Sequence, residues 1–146
     1  MLKTKKMDFE QKKRNSLNEE QYHIENLKCA REFSKGLLEE MNELVRSIVL
    51  FGSNTHDTLD KNSDIDIMVV LNNVTVYVSP ELREAYTIIL EKLSQKISPK
   101  LHIMTVNLSD LWDMARKGDP VLTNILRYGH ALFDSCLLYT SDAADE

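Results

Sequence analysis

Two carboxylates set two residues apart, Asp64 and Asp66, open the apolar run Asp64-Ile65-Asp66-Ile67-Met68-Val69-Val70-Leu71. On a β-strand, side chains at i and i+2 share a face, so both acids stand on one side while Ile65 and Ile67 face the other. Paired carboxylates on one face suit a divalent cation. Mg²⁺ takes oxygen ligands and is commonly held by one or two protein carboxylates together with substrate phosphates. Upstream, Gly52-Ser53 ends a second apolar run, Arg46 to Phe51. A Gly-Ser turn there offers backbone N–H groups to phosphate oxygens. Gly52 and Ser53 are therefore candidate phosphate ligands, and Asp64 and Asp66 candidate metal ligands. The competing reading is a half-exposed strand beside an ordinary turn. The stretch Ile67 to Leu71 is apolar on both faces, which favours a central strand.

The elements that must hold these residues read as follows. Leu27, Ala30, Phe33, Leu37, Met41 and Leu44 recur at three- and four-residue spacing and predict an amphipathic helix, with Ser16-Leu17-Asn18-Glu19 as a capping box at its start. Arg46 to Phe51 and Asp64 to Leu71 are the first two strands, separated by a short helix or turn over Ser53 to Leu59. Val74 to Val78 reads as either a strand or a connection. Ser79-Pro80-Glu81 supplies an N-cap, a first-turn proline and an acid for a helix that Ser98-Pro99 ends. Leu101 to Val106 is a third strand. Ser109 caps a short helix that closes at Gly118, Asp119-Pro120 starts another that stops at Gly129, and Ala131 to Asp134 is a last strand. The fold class is α+β, a mixed sheet flanked by helices.

A length of 146 residues predicts one domain. No apolar run approaches the roughly 20 residues that span a bilayer, and the N-terminus is too charged for a signal peptide, which predicts a cytoplasmic protein with no membrane partner. Cys29 and Cys136 form no disulfide framework and lack metal-ligand spacing. A net charge of −5 argues against a broad nucleic-acid-coating surface and leaves room for a local phosphate pocket. Positive charge gathers in Lys3, Lys5, Lys6, Lys12, Lys13 and Arg14, so residues 1–15 are expected as a basic disordered arm ahead of a domain over 16–134. Residues 135–146 are expected as a disordered or artefactual tail. From Cys136 the sequence loses periodicity and resembles a translated sequencing adapter.

In this order, a hydrophobic strand, Gly52-Ser53, a spacer of about ten residues and Asp64-Ile65-Asp66-Ile67, the chain resembles the minimal nucleotidyltransferase domains of the DNA polymerase beta-like superfamily. Arg116-Lys117-Gly118-Asp119-Pro120 and Ile125-Leu126-Arg127-Tyr128-Gly129 also resemble an uncharacterised, largely archaeal branch of that family. The resemblance implies that Gly52 and Ser53 hold a nucleoside triphosphate, ATP first among them. It implies that Asp64 and Asp66 bind Mg²⁺, with a two-ion site open to them, and that a nucleoside monophosphate passes to a protein, RNA or small-molecule acceptor.

Two positions depart from the family pattern. Where active members carry a third carboxylate on the next strand, this chain offers His102, which can serve as a catalytic base but is a poor Mg²⁺ ligand. Where many members carry Arg-Gly in the Gly-Ser loop, this chain has His56-Asp57. The alternative function is therefore a catalytically weak or inactive nucleotide- or RNA-binding module, or the antitoxin of a toxin–antitoxin pair with a small helical partner protein.

Overall fold

Ala30, Phe33 and Leu37, spaced at helical intervals, are fully buried, and this stripe seats a long N-terminal helix against a sheet. The computed structural model describes residues 2–52 and 63–135. Over this range α1 (Leu2–Met41) is followed by β1 (Val45–Phe51), β2 (Ile65–Leu71), α2 (Pro80–Ile97), β3 (Leu101–Asn107), α3 (Leu108–Arg116), α4 (Pro120–Tyr128) and β4 (His130–Asp134). The strands form one mixed sheet in the order β3-β2-β1-β4, with β2 and β3 parallel and the other two pairings antiparallel. The expected α+β class and mixed sheet are what the chain adopts.

Strand alternation divides the core into two layers. Ile48 and Leu50 of β1 and Ile65, Ile67, Val69 and Leu71 of β2 pack with α1 and α2 on one face. Val49, Met68 and Val70 pack on the other face against Leu108 and Leu111 of α3 and Leu122 and Ile125 of α4. Because β1 and β2 are covered on both sides, they read as nearly continuous apolar runs. Gly36, a weak helix former in the middle of α1, has a packing reason: a Cβ there would stand 2.6 Å from Leu93 Cδ2 of α2.

Most helix boundaries follow their local signals. Ser79 caps α2 by accepting from the Leu82 N–H at 3.1 Å, and Asp119 caps α4 by accepting from Val121 and Leu122. Three expectations need correction or closure. α1 begins at Leu2, so Ser16 to Glu19 lie inside it and start nothing, and the arm expected to be disordered is helical backbone from Leu2. The stretch from Leu2 to Asn15 has no Gly or Pro and is rich in Lys, Met, Gln and Arg, so nothing there stops a helix. The α3 cap is Asn107 rather than Ser109, whose N–H and hydroxyl are instead bonded by the Asn73 side chain. Val74 to Val78 is a connection, with the Thr75 N–H donating to Asn72 Oδ1 at 3.1 Å. The reading of Ser53 to Leu59 and the tail from Cys136 lie outside the described residues. Among the described residues, no helix is long and apolar enough to cross a membrane.

One buried polar group ties α2 to the sheet. The Tyr86 hydroxyl sits 2.7 Å from Thr105 Oγ1 on β3. Burial pushes the phenol up to about 12, against the opposing pull of the Thr105 bond and the Arg83 charge. The folded state thus favours the neutral phenol more than the unfolded chain does. Its contribution is full below the unfolded value of about 10 and is lost as pH rises from there through about 12. Urea unfolding between pH 9 and pH 12 is expected to show that decline, and Tyr86→Phe is expected to flatten it.

Candidate active site

The cross-strand register, rather than the chain order alone, brings the candidate residues together. Asp66 is the β2 partner of Phe51, the last residue of β1, and also the β2 partner of His102 near the start of β3. One carboxylate therefore stands between the end of β1 and the beginning of β3. By alternation it shares the α3/α4 face of β2 with Met68 and Val70, but lies beyond them at the open end of the strand.

Asp66 is held from both sides. Its Oδ1 lies 3.0 Å from His102 Nδ1. A carboxylate is acceptor-only, so the imidazole donates through an Nδ1–H and keeps Nε2 for other partners. The Asp66 side chain is 23% exposed and His102 73%, so the pair opens to solvent on its His102 side. On the β1 side, Gly52 has φ +77°, and a Cβ built there would run into Asp66 Oδ2, with Cγ at 3.2 Å. Glycine meets both demands, a left-handed backbone and no side chain beneath the carboxylate. Asp64 is exposed and lies just ahead of β2, whose first residue, Ile65, donates its N–H to the Lys100 carbonyl at 2.9 Å.

Gly52, Asp66 and His102 thus meet in space, and Asp64 adjoins them in sequence. Ser53, His56 and Asp57 lie outside the described residues. Asp110 and Asp113, the other acids beyond β3, sit on α3 at the far end of that strand from His102. Asp113 forms an ion pair with Arg116 of its own helix, and Asp110 accepts from Asn107. Cys29 is half-buried, and burial first and Glu32 next raise its thiol above its ordinary value, which disfavours the thiolate.

Among the described residues, no three His, Cys, Asp or Glu side chains converge closely enough to hold a metal ion by themselves. The donors present still fit a divalent cation that completes its shell with substrate oxygens, the arrangement in which one or two carboxylates suffice. An open groove of about 690 Å³ lies elsewhere, between α1 and β4, lined by Arg31, Lys35, Glu39 and His130 among others. β1 separates it from Asp66, and its single carboxylate gives it no comparable chemistry. Sequence reading missed this groove because its walls come from distant segments that share no motif.

A mixed four-stranded sheet flanked by helices, carrying a glycine turn against a strand-borne carboxylate, defines the domain as α+β. The model of the nucleotidyltransferase domain family matches residues 31–120, and the chain belongs to that family. The matched span takes in Gly52, Asp64, Asp66 and His102. No curated protein matches the chain. Among solved structures, a crystal structure of a toxin-antitoxin with AMP-PNP is similar at 21% identity and a TM-score of 0.47, covering 79% of this chain and 85% of that one. A mutant of the toxin-antitoxin MntA-HpeT is similar at 21% identity and a TM-score of 0.41, covering 75% and 80%.

Proposed function

We propose that this domain transfers a nucleoside monophosphate from a nucleoside triphosphate, ATP first among the candidates, to an acceptor hydroxyl. One observation carries the reading: the Asp66 carboxylate is seated against Gly52 and held by His102, so phosphate-binding backbone and metal-binding carboxylate share one spot. Backbone N–H groups at Gly52 and Ser53 bind the phosphates. Asp64 and Asp66 hold the divalent ion, Mg²⁺ in the first instance, and each carboxylate has lone pairs enough to serve a second ion. When bound, such an ion supplies charge stabilisation to the attacking and leaving oxygens. The acceptor oxygen forms its bond to the α-phosphorus, gives up its proton, and pyrophosphate leaves. His102 fixes one oxygen of Asp66 and so aims the other.

Labelled ATP, CTP, GTP and UTP offered with cell extract test this reading. The expected result is metal-dependent labelling of an acceptor that disappears with Asp66→Ala. Labelling that survives the substitution, or none with any nucleotide, would overturn it. One observation favours a second reading, a nucleotide- or RNA-binding module or an antitoxin without turnover: the β3 residue paired with Asp66 is an imidazole rather than an acid. Calorimetric nucleotide binding without pyrophosphate release would select that reading.

A further inference from the structure

We propose that the end of the sheet remote from Asp66 carries a second binding site, a cleft built around Arg46 that takes a carboxylate borne on a short apolar chain. This site is independent of the transfer reading above.

The backbone sets Arg46 apart first. The β1–β2 ladder shifts register between Val45 and Ser47, so Arg46 stands at a bulge and pairs with no β2 residue. Bulges bend a strand and re-aim a side chain. The Ser135 N–H and hydroxyl both donate to the Arg46 carbonyl, at 2.9 and 2.7 Å, which pins the bulged residue. Phe51, the β1 partner of Asp66, lies roughly 17 Å further along the strand. The two sites are therefore distinct.

Arg46 borders an open cleft of about 230 Å³ whose walls include Leu108 and Trp112 of α3 and Val74 of the connection after β2. Among the described residues, Arg46 is the only charged one lining it. Asn72 and Thr75 also reach the rim, but they bond each other: Asn72 Nδ2 donates to Thr75 Oγ1, and the Thr75 N–H donates to Asn72 Oδ1. Polar recognition in the cleft thus falls to the guanidinium. Its Nε is buried with no hydrogen-bond partner among the described residues, so the head has lost water there without compensation. An oxyanion on the Nη groups offsets that loss. Glu43 lines a neighbouring cleft that also meets Arg46, but not this one.

The ligand's chemistry follows from these walls. One guanidinium balances one negative charge, and its paired N–H groups match the two oxygens of a carboxylate. A phosphate dianion would leave a charge facing Leu108 and Trp112. Trp112 and Val74 are half-exposed and offer apolar surface that a short hydrocarbon chain covers. The volume lies below the roughly 300–1,000 Å³ of sites for drug-sized ligands, so an acid of a few carbons fits and a nucleoside triphosphate does not.

Trp112 is the only tryptophan of the chain, so its emission reports the cleft directly. Hexanoate, which does not absorb where tryptophan is excited, is titrated into the full chain up to about 10 mM, with hexanamide as the uncharged control. The expected result is a saturable blue shift with hexanoate and none with hexanamide. Arg46→Gln removes a charge-assisted pair and is expected to weaken binding by at least about tenfold. Val74→Glu sets a competing acid on the cleft wall at an exposed position, where folding is not at stake, and is expected to abolish binding. Acetyl-Gly-Leu with a free C-terminal carboxylate, set against its amide, distinguishes two sources of the same chemistry. Tighter binding than hexanoate assigns the cleft to an apolar peptide C-terminus, and weaker binding to a small free acid. No saturable shift with either carboxylate, an equal shift with hexanamide, or binding that survives both substitutions would overturn the proposal.

Discussion

Replacing Gly52 with alanine is expected to lower folding stability by roughly 1–3 kcal/mol, the usual cost of a strained non-glycine backbone, and to slow transfer by about 100-fold or more. The two effects have separate causes. The stability loss comes from φ +77°, which a residue with a Cβ adopts poorly. The rate loss comes from the added methyl, which meets Asp66 Oδ2. Either the turn backs away, carrying with it the backbone proposed to bind phosphate, or the Asp66 carboxylate rotates off His102. Both outcomes part groups that must act together, and a displacement near 1 Å is enough for a loss of that order.

Gly118 provides the control. Its φ is +66°, also left-handed, yet a Cβ there meets nothing within 4 Å. Gly118→Ala is therefore expected to show the backbone cost in urea unfolding with transfer largely intact. If the two alanine variants lose transfer equally, crowding of Asp66 is not the cause.

What could be read in the sequence was what is specified locally. The Ser79-Pro80 and Asp119-Pro120 helix starts are fixed by side chains two or three residues from the backbone groups they satisfy, and both stand where expected. The apolar runs of β1 and β2 were legible because both faces are covered. Ser109 misled because its N–H is taken by Asn73, a residue brought to it only by the fold. Ser16 misled for another reason: a good capping signal starts no helix when the residues before it are already helical.

The candidate site divides along the same line. The spacing of Asp64 and Asp66 and the Gly52 turn are local, and periodicity placed them on successive strands. The seating of Asp66 is not local. It needs β1 antiparallel to β2 so that Phe51 pairs with Asp66, and β3 parallel to β2 so that His102 does too. A one-residue slip in either ladder would turn the partner side chain to the opposite face. The resemblance to a family whose active members carry a third carboxylate on the next strand singled out His102, but the 3.0 Å contact exists only through that register.

Asp66→Asn separates charge from shape and is expected to cut metal-dependent transfer by about 100- to 1,000-fold while leaving the fold in place. The amide has the size of the carboxylate, and its oxygen can still accept from His102 Nδ1–H, so the contact that fixes the side chain survives. The residue lies at the solvent-facing end of β2 rather than in either apolar layer, so unfolding is expected to shift by no more than about 0.5 kcal/mol. What disappears is negative charge where the proposed ion would bind. Electrostatic stabilisation by a bound metal is worth several kcal/mol, and each 1.4 kcal/mol is about tenfold in rate. Asp64→Asn is expected to cost less, because Asp64 is exposed and stands just outside the ladder that holds Asp66. Single-turnover transfer and urea unfolding, measured on both variants, check the order. Equal losses would mean that the two acids serve the ion alike, and that the seating of Asp66 between Gly52 and His102 adds nothing to its hold on the metal.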